Sequence, residues 1–159
     1  MATEIERKFL VVGDAWKHQA DDGTVMRQGY LLGSEKSSVR VRVAGDRAWL
    51  NIKSATLGVI RTEYDYAIPL EDANEMLATL CDQPLIEKVR YHARHGHHVW
   101  DVDVFSGANE GLIVAEIELM DVGEAFEKPD WAGDEVSADP RYYNVCLVRH
   151  PYRNWSRVR

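Results

Sequence analysis

Glu4, Glu6 and Lys8 fall on alternate residues of the opening segment Glu4-Ile5-Glu6-Arg7-Lys8. In an extended chain, alternate side chains share a face, so two carboxylates and an amine would project side by side. Carboxylate oxygens suit a hard divalent cation, whereas Lys and Arg suit the oxygens of phosphate. The same alternation recurs along the chain. One parity carries Arg40 and Arg42, then Asn51 and Lys53, then Arg61, Glu63 and Asp65. Further on it carries Lys88, Arg90, His92 and Arg94, then Asp101 and Asp103, then Glu116 and Glu118. The opposite parity is mostly apolar, as in Val39, Val41 and Val43, or Trp100, Val102 and Val104.

A solvated outer face accounts for any one of these segments, because polar and apolar alternation is the ordinary strand pattern. The set as a whole is sorted. Bases gather in the third, fourth and sixth segments and acids in the first, seventh and eighth. A solvated surface gains little from that sorting, but the polar lumen of a wide barrel gains from it. Bases can surround an anion there while acids hold a cation beside it. Such a lumen suits phosphoryl transfer: Arg and Lys grip a triphosphate at many points, and Glu reaches it through Mg²⁺ or Mn²⁺. A bound ion of that kind polarises a phosphoryl oxygen or activates water.

The elements that must position these residues read as β-runs punctuated by glycine. Strands are predicted over Thr3–Val12, Thr24–Leu32, Ser38–Ala44, Ala48–Ser54, Val59–Ile68, Leu85–His95, His97–Phe105 and Leu112–Leu119. They are rich in β-branched and aromatic residues, and Gly33, Gly45, Gly58, Gly96 and Gly107 mark turns between them. Helical spacing predicts a helix over Glu71–Cys81, a short one over Ala15–Ala20 and another over Arg141–Arg149. The predicted class is mostly β (α+β): an eight-stranded antiparallel closed β-barrel with a few flanking helices, in one domain over residues 1–159. Closure removes the edges of the sheet, and no regular βαβ alternation supports a Rossmann-type sheet.

Those residues continue in a fixed order: Gln28-Gly29-Tyr30-Leu31, Val39-Arg40-Val41-Arg42, Ile52-Lys53-Ser54, Arg61-Thr62-Glu63-Tyr64, Glu87-Lys88-Val89-Arg90-Tyr91, Trp100 to Phe105, and Ala115-Glu116-Ile117-Glu118-Leu119. With Glu4-Ile5-Glu6-Arg7-Lys8 and the tail Asp139-Pro140-Arg141-Tyr142-Tyr143-Asn144, the chain resembles the CYTH superfamily, or triphosphate tunnel metalloenzymes, in its short bacterial branch. The resemblance implies a charged tunnel that hydrolyses inorganic triphosphate to diphosphate and phosphate with Mg²⁺ or Mn²⁺. It implies Glu4, Glu6, Glu116 and Glu118 as metal ligands, and Lys8, Arg40, Arg42, Lys53, Arg61 and Arg90 as substrate contacts. It also implies Lys88, Tyr30 and Glu63 as catalytic residues, with Tyr30 paired to Lys88 and the lysine helping to activate water. The same tunnel could hydrolyse thiamine triphosphate or cyclise ATP, and a non-catalytic polyphosphate-binding module is a further alternative. Asn51 departs from the small polar residue expected there and receives no role, nor does Arg27.

The net charge of −7 disfavours nucleic acid and anionic membranes as partners without excluding a small anionic substrate. The leading MATEIERKFLVV has no apolar h-region, and the two cysteines are far apart, so a reducing cytoplasm is the expected setting. A homodimer is expected only from the frequency of two-fold assemblies. His92, His95, His97 and His98 could suggest a transition-metal site, but around Gly96 they read as a surface hairpin. Phosphate-binding loop, dinucleotide, zinc-protease and nucleophile-elbow motifs are absent.

Overall fold

The computed structural model describes residues 3–34, 36–55 and 59–155, so the turn expected at Gly58 lies outside the described residues. The strands are β1 (Thr3–Val11), β2 (Thr24–Gly33), β3 (Ser37–Ala44), β4 (Arg47–Ser54), β5 (Ile60–Ile68), β6 (Ile86–His95), β7 (His98–Ser106), β8 (Ile113–Leu119) and β9 (Ala132–Glu135). Two α-helices join them, α1 (Leu70–Thr79) and α2 (Asn144–Arg149), with 3-10 turns at Ala15–Gln19 and Pro140–Tyr142 among others. The helix expected over Arg141–Arg149 is thus split: Pro140 opens a 3-10 turn capped by Asp139, and α2 begins only at Asn144.

Antiparallel pairing runs in the order β5-β4-β3-β2-β6-β7-β8-β1, and β1 then pairs with β5. The eight strands therefore close into a barrel, as the alternation predicted. Closure is made by Thr3 against Thr62 and Ile5 against Ile60. Past that point β5 has ended, and β9 takes its place beside β1, with Phe9 opposite Glu135 and Val11 opposite Ala132.

The apolar parity faces outward. On β1, β6, β7 and β8 it presents Phe9, Ala93, Trp100, Val102, Ala115, Ile117 and Leu119, covered by Trp16, Trp131 and Phe126. Trp100 sits at the centre of this cluster, its ring 5.5 Å from Phe9, 5.7 Å from Phe126 and 5.6 Å from Trp131. On β3 and β4 the outward Val41, Val43 and Ala48 pack under Ala73 and Leu77 of α1. Each large aliphatic side chain so buried contributes roughly 1.5–3 kcal/mol. Gly29 belongs to the same layer: a Cβ there would stand 2.7 Å from Cβ of Cys81, so only glycine admits the chain that follows α1.

The inward parity is polar along most of the barrel and turns apolar at one end. Tyr30, Ile86, Phe105 and Val114 point inward there and meet Leu147 and Val148 of α2. The C-terminal segment thus fills one side of that opening, leaving a cavity between α2 and strands β3 to β5.

Candidate active site

The cavity has a volume of about 700 Å³ and runs along the barrel interior. It is lined by Glu4, Glu6 and Lys8 from β1, Tyr30 from β2, Arg40 and Arg42 from β3, and Lys53 from β4. Arg61 and Glu63 of β5, Arg90 of β6, and Glu116 and Glu118 of β8 complete the set. Every residue given a catalytic, substrate or metal role from the sequence therefore faces one space, apart from Lys88. That lysine is fully buried behind the wall, with Nζ 2.7 Å from Oδ2 of Asp103. The expected Tyr30–Lys88 pair is not formed. Lys88 lies opposite Met26 across the β2–β6 ladder, four residues along the strand from Tyr30, which itself lies opposite Arg40.

The carboxylates crowd one wall. Glu6 lies opposite Glu118, and Lys8 opposite Glu116. Burial, then the adjacent Glu116, push the Glu6 carboxyl well above its usual range. Burial would raise Glu116 too, but Lys8, the hydrogen bond with Glu6, and Arg90 outweigh it and keep that carboxylate ionised. The two side chains are joined by a hydrogen bond, and their pKa values are shifted in opposite directions. Glu118 stands at the exposed rim, its carboxyl raised by partial burial and by Glu4 and Asp101. Glu4 Oε1 is buried without a hydrogen-bond donor.

This donor set fits a hard divalent cation: it is all-oxygen, partly unsatisfied and crowded with like charge that a cation would relieve. Among the described residues no group of three Asp, Glu, His or Cys side chains is already gathered as a ligand set. The fit is therefore to an ion held by one or two carboxylates and completed by oxygens of a bound anion, the usual habit of Mg²⁺.

The cations divide into two kinds. Lys53 is held by Glu63 at 3.2 Å and Glu4 at 3.5 Å. Arg90 binds Asp103 through Nε and Nη2 at 2.8 and 2.9 Å, and also approaches Asp101 and Glu116. These charges are largely neutralised within the protein. By contrast, Lys8, Arg42 and Arg61 have no carboxylate within 4 Å among the described residues, and Arg40 has only Glu63 at 4.0 Å. Lys8 donates to the carbonyl of Tyr142 at 3.1 Å, and Arg61 lies over the ring of Tyr143 at 5.2 Å. Nη2 of Arg40 and Nε of Arg61 are buried donors without acceptors. Such donors are costly unless an anion satisfies them. Burial, then Arg40 and Arg90, lower Arg42 to about 9, which leaves it charged at neutral pH.

Sequence reasoning missed several residues around this space. Asp103 is the shared counter-ion of Lys88 and Arg90; its inward parity was legible, its partners were not. Asn51, given no role, is buried and accepts from Nε of Arg40 at 3.0 Å. Tyr143, Asn144 and Arg149 line the cavity from the C-terminal segment. The histidines behave as a surface hairpin: His92 contacts Asp21 and Asp101, His95 approaches Glu127, and His98 contacts Glu124.

Comparison with known proteins agrees with this geometry. Residues 2–145 match the CYTH domain. The chain is 50% identical over 155 residues to a protein of Acetivibrio thermocellus named inorganic triphosphatase, covering 98% of this chain and 99% of that one. A protein of the same name from Nitrosomonas europaea is 36% identical over 152 residues, covering 92% and 97%. The crystal structure of an inorganic triphosphatase superimposes with a TM-score of 0.65 at 32% identity, over 93% of this chain and 95% of that chain. A putative adenylyl cyclase from Hippeastrum, described as having a dominant triphosphatase activity, shares the fold at a TM-score of 0.59 and 15% identity, over 74% and 80%. With its fold, its lumen and nearly its whole length accounted for, the chain belongs to the CYTH family.

Proposed function

We propose that this protein is a metal-dependent hydrolase of inorganic triphosphate, cleaving it to diphosphate and phosphate inside the barrel. The observation that carries the reading is the division of the lumen. Cations without close carboxylate partners, two of them with unsatisfied buried donors, face a wall of crowded carboxylates. The names of the two bacterial relatives support the same substrate.

Lys8, Arg40, Arg42 and Arg61 would bind the phosphate oxygens, since they make no close ion pair among the described residues and line the cavity. Glu4, Glu6 and Glu116, with Glu118 at the rim, would hold Mg²⁺ or Mn²⁺. When bound, such an ion supplies Lewis-acid polarisation of a phosphoryl oxygen and lowers the pKa of water. Glu63, tied to Lys53 and close to Arg40, would orient the attacking water. Lys88 would serve this site through Asp103 and Arg90, holding Arg90 beside Glu116, while Tyr30 closes the apolar end of the cavity. An inorganic rather than organic substrate fits the rings of Tyr143 and Trp49, because both already carry cations. Arg61 and Lys8 lie over Tyr143 at 5.2 and 5.8 Å, and Arg47 lies over Trp49 at 5.6 Å. No helix among the described residues is long and apolar enough to cross a membrane. Cys81 and Cys146 are both unpaired, which suits a reducing cytoplasm.

The test is phosphate release from tripolyphosphate, ATP and thiamine triphosphate, with Mg²⁺, with Mn²⁺ and with chelator. Tripolyphosphate should turn over fastest and only with metal. Equal turnover in chelator would sink the metal role. Preference for an organic triphosphate, or cyclic AMP as the product, would sink the substrate assignment.

A further inference from the structure

Three of the arginines that face the cavity are held at Nε by side chains of different kinds. Arg90 gives its Nε to a carboxylate, Asp103. Arg42 gives its Nε to the amide oxygen of its cross-strand neighbour Gln28, and Arg40 to that of its neighbour Asn51. Gln28 is fully buried, and its Nε2 has no hydrogen-bond partner. The donor on Arg42 fixes the orientation of that amide, because a flipped amide would set two donors against each other. A glutamate here would keep the acceptor for Arg42, remove the orphaned donor and add an ion pair. On hydrogen bonding alone it would fit better than glutamine. It would also neutralise Arg42.

We propose that Gln28 is a positioning residue that fixes the Arg42 guanidinium by one neutral acceptor, leaving its charge and terminal nitrogens to the substrate, with Asn51 doing the same for Arg40. This rests on the reading of the lumen as a triphosphate site. Asn51 is itself aligned by donating Nδ2 to Asp65, so the Asp65–Asn51–Arg40 row sets the guanidinium through a neutral acceptor, with Glu63 no nearer than 4.0 Å. The amide tethers separate two arginine functions that share one lumen: Arg40 and Arg42 remain available to an anion, while Arg90 belongs to the carboxylate wall.

The test is Gln28→Glu, read by KM and kcat for tripolyphosphate with Mg²⁺, by calorimetric titration with tripolyphosphate, and by thermal unfolding. The expected result is a melting temperature equal to or above that of the unaltered chain. KM and Kd should rise about tenfold or more, with kcat changed by less than about threefold. A tether needed only for folding predicts the same melting behaviour, since glutamate is the stronger acceptor, but with KM and Kd unchanged. KM and Kd within about twofold of the unaltered chain would overturn the inference while leaving the triphosphatase reading intact. If the unaltered chain binds tripolyphosphate without turning it over, the function fails and the Kd comparison still decides the inference. If it does not bind, both fall. Should Q28E not fold, Gln28→Met leaves Arg42 charged but untethered, and KM should rise severalfold; an unchanged KM would overturn the proposal.

Discussion

Replacing Asp103 by Asn should destabilise the barrel more than any other single change of charge in its lumen. Asp103 is fully buried and bonded both to Lys88 at 2.7 Å and to Arg90 at 2.8 and 2.9 Å. Burial would raise its carboxyl, but Arg90 and Lys88 hold it far below the usual range, so it stays ionised in the folded protein. Its stabilising contribution is present above the unfolded carboxylate value and is lost only as pH falls through the folded one. Asn keeps the volume and leaves two buried cations short of a counter-charge. Breaking a buried pair in this way costs about 3–5 kcal/mol, which for a chain of this size lowers the melting temperature by about 10 °C. The deficit should also depend on pH. Burial lowers Lys88 to about 7 even with Asp103 beside it, and loss of that carboxylate lowers it further. Between the two values the folded variant sheds a proton that its unfolded chain keeps, so its stability rises with pH there. Differential scanning calorimetry from pH 5 to pH 8 should therefore show the largest deficit at pH 5, shrinking up to about pH 7. A loss under about 3 °C, or a deficit that widens between pH 5 and pH 7, would refute the reasoning.

Other outcomes are expected from the same geometry. Glu6→Gln should lower kcat more than it weakens tripolyphosphate binding, whereas Arg42→Ala should mainly raise KM; steady-state kinetics beside titration calorimetry would expose a shared effect. Lys53 is lowered to about 8 by burial and then by Arg40, so its share of anion affinity should fade as pH rises through that value. Lys53→Arg should keep that affinity at pH 9.5, which titration at pH 7 and pH 9.5 would check. Leu147→Ala removes a fully buried side chain from the apolar end of the lumen and should cost about 2–5 kcal/mol, measured by urea denaturation.

The strands were legible because the barrel keeps its alternation strict: each inward charge is flanked by outward apolar residues, so parity alone placed Glu6, Arg42 and Glu116 in one lumen. The ninth strand was not legible. Ala132-Gly133-Asp134-Glu135 has neither alternation nor β-branched residues, and it is extended because β1 offers a free edge once β5 has ended. Which cations are neutralised was also out of reach. Lys53 meets Glu4 across the closure between β1 and β5, and that meeting depends on the stagger of a closed sheet. Lys88 shows the same limit: its parity is inward, yet Asp103 takes it out of the cavity. The role of Gln28 turns on an unsatisfied amide, which no spacing rule reveals.

The pairing of β1 governs when the barrel can come into being. Ile5 waits for Leu119, and Phe9 for Glu135, so the first strand made is the last to find its neighbours. Hairpins such as β3–β4 and β6–β7 can form from adjacent chain, but closure must overcome the entropy of the whole intervening loop. Glu6 reaches Glu116 only when β1 finds β8. The carboxylate wall is therefore a seam between the first strand and the eighth: it does not exist until they pair, and an ion bound across it would latch β1 in place.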